Sequence, residues 1–140
     1  MERWEIKRGQ AYMEAAAGQG HFMAQNDLGG MMFRGQGTED GQPDFAEAER
    51  WYSQSAAQGF QKSMLGMSMV RSSQGRPHEA LEWLEKAAEQ RADPVVPFTL
   101  GTFLMEGTLS TTHVDATRGL EWMSKAAEMG HSGAQVAMAG

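Results

Sequence analysis

The stretch Asp115-Ala116-Thr117-Arg118-Gly119-Leu120-Glu121-Trp122-Met123-Ser124-Lys125-Ala126-Ala127-Glu128-Met129-Gly130-His131 decides the fold. It carries an aromatic residue, a small pair four and five positions later, and a glycine eight positions later. The same pattern stands at Tyr12…Ala16-Ala17…Gly20, Trp51…Ser55-Ala56…Gly59 and Trp83…Ala87-Ala88…Arg91. The aromatic residues lie 39, 32 and 39 positions apart, and each has a small residue three positions before it: Gly9, Ala48, Ala80 and Gly119. A second block (small, three others, apolar, small) recurs in Ala24…Leu28-Gly29, Ser63…Met67-Ser68, Val96…Leu100-Gly101 and Ala134…Met138-Ala139. Self-similarity at such a period marks an array whose single units bury too little apolar surface to stand alone.

Within each unit, apolar and small residues fall at helical spacing in two stretches. First helices are expected over about 22–34, 61–73, 93–106 and 132–139. Second helices are expected over about 44–58, 77–90 and 115–129, with an orphan copy at about 2–18. Alternation of period two is nowhere sustained, so no strand is expected. Gly20, Gly59 and Gly130 suit left-handed helix ends, where a missing Cβ removes the steric cost. Gly35-Gln36-Gly37 and Gly107 end first helices, while Pro43-Asp44 and Arg76-Pro77 open second ones. Around Asp93-Pro94-Val95-Val96-Pro97, either proline fits the first turn. The expected fold is all-α: a right-handed α-solenoid of about seven to eight antiparallel helices. It forms one domain over 1–140, with a half repeat at 2–20, units at 21–59, 60–91 and 92–130, and a half repeat at 131–140. Alanine pairs and Gly29 or Gly101 let helix axes approach closely, and the aromatic ring fills the space beside them.

These residues resemble the Sel-one-like repeat family, a branch of the tetratricopeptide-type α-solenoids. Asp44-x-x-x-Ala48-x-x-Trp51 and Asp115-x-x-x-Gly119-x-x-Trp122 match its second-helix spacing, as do Trp83…Ala87-Ala88 and Trp122…Ala126-Ala127…Gly130. The resemblance runs from about Gly9 to Ala139. Its departures are local: the second unit is seven residues short, Arg71 stands where an aromatic is usual, and Arg91 replaces the cap glycine. The resemblance implies a bacterial adaptor or scaffold for protein–protein contacts, and fold analogy names no partner.

Composition narrows the alternatives. In 140 residues, 12 Lys and Arg face 18 Asp and Glu, a net charge of −6, so the basic footprint of a nucleic-acid binder is absent. No apolar run approaches the roughly 18 residues of a membrane helix, so membrane insertion is not expected. The stretch from Met1 to Arg8 offers no apolar segment that could act as a signal peptide. A cytoplasmic location is therefore expected, with an envelope location open if the sequence is a trimmed form. No cysteine is present, which excludes disulfides and thiolate chemistry.

No enzyme activity and no cofactor are expected. His21 and His131 share one repeat position, His78 follows Pro77, and His113 sits in a polar stretch. No His-x-x-x-His pairing exists, so a structural or solvated role is preferred over metal binding. There is no Gly-x-Ser-x-Gly elbow, no Ser-x-x-Lys pair and no complete phosphate loop around Gly35-Gln36-Gly37. Glu39-Asp40 lie in a loop, and Glu47 and Glu49 on a solvated helix face. A hydrolytic or ligand site with no recognisable motif, and an accessory module of a larger repeat protein, stand as the other readings.

The 12 methionines are the unusual excess. Met32, Met67, Met123 and Met138 fit core packing, yet methionine also suits surfaces that adapt to varied apolar side chains. The resemblance implies that first helices line a concave side. The residues turned inward would be Met23, Asn26, Phe33 and Arg34; then Lys62, Leu65 and Met69; then Phe98, Thr102 and Met105. Such a stripe suits an apolar peptide or protein partner, with an acidic group for Arg34 and Lys62. The alternative is that some of these side chains fill the core. Finally, Trp4, Ile6 and Tyr12 at one end, and Val136 and Met138 at the other, are expected to present apolar faces for self-association through open solenoid ends.

Overall fold

The computed structural model describes residues 3–90, 92–106 and 115–139, with side chains from Lys7 onward. Among these residues there are eight helices and no strand: α1 (Arg3–Gly18), α2 (Phe22–Arg34), α3 (Phe45–Ala57), α4 (Gln61–Ser73), α5 (Pro77–Glu89), α6 (Val95–Glu106), α7 (Ala116–Glu128) and α8 (Ser132–Ala139). The expected boundaries hold to within a residue or two. Residues 91 and 107–114, which include Arg91, Gly107 and His113, lie outside the described residues, as do the side chains of Trp4 and Ile6.

Local chemistry sets the boundaries. The second helices α3 and α7 start on Asp44 and Asp115, whose carboxylates accept the backbone N–H of Glu47 at 3.0 Å and Arg118 at 3.1 Å. Helix α5 starts on Pro77 after Arg76, which makes no side-chain cap bond; proline's missing N–H costs nothing in a first turn. Helix α6 begins at Val95, whose N–H is taken by the Asp93 carboxylate at 2.9 Å, and Pro97 sits in its first turn. Gly20, Gly59 and Gly130 take φ of 92°, 88° and 95°, values that any Cβ would strain. The turn after Gly20 closes with the His21 N–H on the Ala16 carbonyl at 3.1 Å, and the His131 N–H meets the Ala126 carbonyl at 3.0 Å.

The chain divides into two compact units, residues 1–70 and 71–140. In the first, Leu28, Ala48, Trp51, Tyr52, Ala56, Met67 and Val70 are buried. The ring of Tyr52 from α3 lies between two bare glycine backbones. A Cβ on Gly29 of α2 would stand 2.7 Å from that ring, and one on Gly66 of α4 would stand 2.5 Å from it. The absence of two methyl groups makes room for one aromatic ring. A polar thread runs beside it. Buried Gln25 donates to the Ala17 carbonyl at 3.0 Å and accepts from Gln58 at 2.9 Å. Buried Ser55 donates to the Phe22 carbonyl at 2.8 Å, and its oxygen is 2.7 Å from that of Ser63. Each bond satisfies a group whose unpaired burial would cost about 1–3 kcal/mol.

In the second unit the close approach is backbone to backbone. A Cβ on Gly101 of α6 would lie 2.9 Å from the Gly119 carbonyl oxygen of α7, and one on Gly119 would lie 3.0 Å from that of Gly101. Met123, Ala126 and Ala134 pack beside this crossing with Phe98 and Ala127. Arg71, in the usual aromatic position, instead donates to Gln74 at 2.9 Å and lies 3.9 Å from the Glu79 carboxylate. Lys86 and Lys125 lie over the rings of Trp83 and Trp122, at 4.6 and 4.2 Å from their centres. An ion pair joins Glu85 of α5 to Arg118 of α7.

The ring contact yields a sign-reversing prediction. Gly29→Ala should destabilise the chain, because overpacking costs about 1–3 kcal/mol and outweighs the ~1 kcal/mol of helix propensity gained over glycine. In a Tyr52→Leu background the same substitution should become neutral or stabilising. Urea denaturation of the four chains of this double-mutant cycle gives the comparison.

Candidate ligand-binding site

Two of the four histidines resolve as caps. His21 Nδ1 accepts the Ala24 N–H at 3.3 Å, and His131 Nδ1 accepts the Ala134 N–H at 3.1 Å, so the two occupy the N-cap position of α2 and α8. His131 also stacks on Phe98, ring centres 4.2 Å apart. His78 is exposed. Among the described residues no group of three or more His, Cys, Asp or Glu could hold a metal ion.

The ten candidate positions divide by environment. Met23, Arg34, Lys62, Met69 and Met105 are exposed, while Asn26, Phe33, Leu65, Phe98 and Thr102 are half-buried. Phe33 packs against Phe45, ring centres 5.5 Å apart. Phe98 belongs to the packing around Met123 and Ala134, and the Thr102 hydroxyl donates to the Phe98 carbonyl of its own helix at 2.9 Å. Of the methionines assigned to the core, Met32, Met67 and Met123 are buried, whereas Met138 is 45% exposed because α8 turns it to solvent. Tyr12 and Val136 are exposed too, at 68% and 73%.

The structure brings Asn26 and Arg34 together, with residues the sequence did not single out. They line a cleft of about 320 Å³ in the first unit with Met13 of α1, Asp27, Gly30 and Met31 of α2, and Tyr52 of α3. Asn26, Gly30 and Arg34 are four apart and share one face of α2. Arg34 folds back along that face: a Cβ on Gly30 would lie 3.1 and 3.3 Å from its two terminal nitrogens and 3.4 Å from the Tyr52 hydroxyl. The Arg34 Nε donates to Gln36 at 3.2 Å, which fixes the roll of the guanidinium plane. The Asn26 side-chain amide is tied to the Ser63 hydroxyl, Oδ1 lying 2.9 Å from its oxygen. Burial pushes the Tyr52 hydroxyl above its ordinary value; Arg34 pulls it back and Asp27 adds to the rise. Tyr52 is therefore a proton donor throughout the neutral range. The glycine doublet Gly29-Gly30 was the available signal for this site: one glycine makes room for the Tyr52 ring, and the other for the Arg34 fork.

Another cleft, of about 530 Å³, is lined by the loop from Gly37 to Asp44 with Met32 and Phe45. Two of its polar side chains, Thr38 and Asp40, are bonded within the loop itself. The Thr38 hydroxyl bridges the Gly35 and Gln42 carbonyls at 3.1 and 2.8 Å, and Asp40 accepts the Gln42 N–H at 3.0 Å.

Comparison with known proteins agrees with the repeat registers. The family model described as Sel1 repeat matches residues 22–60, 73–91 and 99–131. None of the curated proteins matches the chain. Among solved structures, it is similar to c5321, a protective antigen present in uropathogenic Escherichia coli strains and displaying an SLR fold. That likeness has 28% identity and a TM-score of 0.68, and it covers 91% of this chain but 27% of the antigen. A Sel1 repeat protein from Oxalobacter formigenes is similar at 26% identity and a TM-score of 0.66, over 91% of this chain and 95% of its own. The fold is thus an all-α helical-repeat solenoid.

Two predictions concern the caps and the tyrosine. His21→Ala should cost about 1 kcal/mol, the usual worth of an N-cap, whereas His21→Asn should retain most of it. Thermal unfolding of the two variants separates them. For Tyr52, the folded chain holds the hydroxyl proton more tightly than the unfolded chain. That stabilisation is complete below the unfolded value, about 10, and is lost as pH rises through the raised folded value. Urea midpoints should therefore fall as pH rises above about 10, and Tyr52→Phe should flatten the fall.

Proposed function

This chain belongs to the Sel1 repeat family, and we propose that it acts as a non-catalytic interaction module that holds a peptide or protein partner on the first helices of its hairpins. Proteins of this family are in general protein-interaction modules. The observation that carries the reading is the state of the methionines on α2, α4 and α6. Met23, Met69 and Met105 are 53%, 49% and 37% exposed, although each stands on a helix that also carries a fully buried apolar residue, Leu28, Met67 and Leu100 in turn. Exposed methionine is an adaptable apolar contact, because its unbranched side chain and soft sulfur fit partners of different shape. In the first unit Arg34 and Lys62 flank these positions and suit an acidic group on the partner. A catalytic reading finds less support: His21 and His131 cap helices, and the Thr38 hydroxyl in the loop cleft is bonded within the loop. No helix among the described residues is long and apolar enough to cross a membrane.

Peptides selected by display on this chain give the test. The double variant Met23→Asp, Met69→Asp should bind them about tenfold more weakly or worse, a loss of some 1.4 kcal/mol, with unchanged helical circular dichroism. Selected peptides that bind the double variant as well as the parent would overturn the reading. Phe98→Ser serves as the contrast: it should lower stability and binding together, because Phe98 packs in the core of the second unit.

A further inference from the structure

We propose that the cleft between α1, α2 and α3 receives the free carboxylate of a peptide C-terminus whose last side chain is apolar. The Arg34 fork and the Tyr52 hydroxyl take the carboxylate, and Met13 and Met31 wall the last side chain. The inference rests on the interaction reading above and names the chemistry of one subsite.

Four features of the cleft select this ligand. First, its donors converge. Both terminal nitrogens of Arg34 and the Tyr52 hydroxyl gather over Gly30, where a missing Cβ leaves the room, and Asn26 lines the same cleft. A planar guanidinium beside a neutral hydroxyl matches the two oxygens of one carboxylate. Second, the charges balance. Asp27 lines the cleft with Arg34, yet no ion pair joins them among the described residues, so each charge remains for a ligand group of opposite sign. A dianion such as phosphate would be repelled by Asp27. A C-terminal residue instead brings one negative charge and, across its Cα, an N–H that a carboxylate can accept. Third, one donor is held in place before binding. Tyr52 is clamped between Gly29 and Gly66, so its hydroxyl loses little freedom on association, while the exposed Arg34 is anchored at Nε by Gln36. Fourth, the volume of about 320 Å³ is at the small end of ligand clefts, which span roughly 300–1,000 Å³, and suits one terminal residue rather than a folded surface.

The test compares acetyl-Ala-Ala-Leu with a free carboxylate, the same tripeptide as its C-terminal amide, and acetate ion. Backbone amide shifts of this chain, titrated by two-dimensional NMR, give the readout. The acid should shift Gly30 and Arg34 saturably, while the amide and acetate bind at least tenfold more weakly. Arg34→Gln and Tyr52→Phe should each weaken the acid and leave the amide unchanged; the phenylalanine keeps the ring that the fold needs. Gly30→Ala should melt no lower than the parent, because its Cβ crowds the flexible tip of Arg34 and otherwise makes an ordinary 3.4 Å contact with the Tyr52 hydroxyl, yet it should weaken the acid. Equal binding of acid and amide, no shift with either, or acetate binding as tightly as the acid would each overturn the proposal. Should any of these occur while displayed peptides still depend on Met23 and Met69, this subsite fails and the broader interaction reading stands.

Discussion

One contact governs the first half of the chain: an aromatic ring held where two helices each lack a side chain. Tyr52 enters between Gly29 and Gly66 so closely that a methyl group on either would fall inside its van der Waals envelope. Burying such a ring stabilises by about 1.5–3 kcal/mol, but the larger consequence is geometric. The ring ties three consecutive helices together and fixes where its hydroxyl emerges. That hydroxyl appears beside Gly30, on the same face of α2 from which Arg34 folds back. Packing and polar site are therefore two ends of one side chain.

The second unit reaches a similar helix approach by other means. Met123 stands at the repeat position that Tyr52 holds in the first unit, and the close contact passes to the carbonyls of Gly101 and Gly119. A methionine brings no hydroxyl, so the equivalent packing creates no polar edge. Two local contacts of the repeat recur in both units. Gln25 and Gln135 both donate to the carbonyl of the alanine eight positions back, Ala17 at 3.0 Å and Ala127 at 3.1 Å. His21 and His131 both cap the helix that follows. The unit frame thus repeats while the residue after the repeat aromatic decides whether a unit carries a donor site.

The frame was legible in the sequence because its signals are local. An aspartate three residues before a helical N–H, a glycine at a left-handed turn and a proline in a first turn each act within a few residues. The expectation that Asn26 and Arg34 face a partner rests on the family resemblance; in the structure the two line one cleft. Tyr52 was hidden beside Trp51, the aromatic that carries the repeat. Its partners Gly29 and Gly66 lie far along the chain on either side, and nothing in a single sequence joins the three. The environment of Phe98 was equally hidden: its register put it on the first-helix face, whereas its contacts tie it to His131 and the packing around Met123. Side-chain direction at a helix crossing depends on the crossing angle, which spacing does not specify.

The central claim is that Tyr52 is clamped by both glycines, and a nuclear Overhauser spectrum of the chain measures it directly. The account predicts cross-peaks from the Tyr52 ring hydrogens to the α-hydrogens of Gly29 and of Gly66 alike. Cross-peaks to one glycine alone, or to neither, would contradict it.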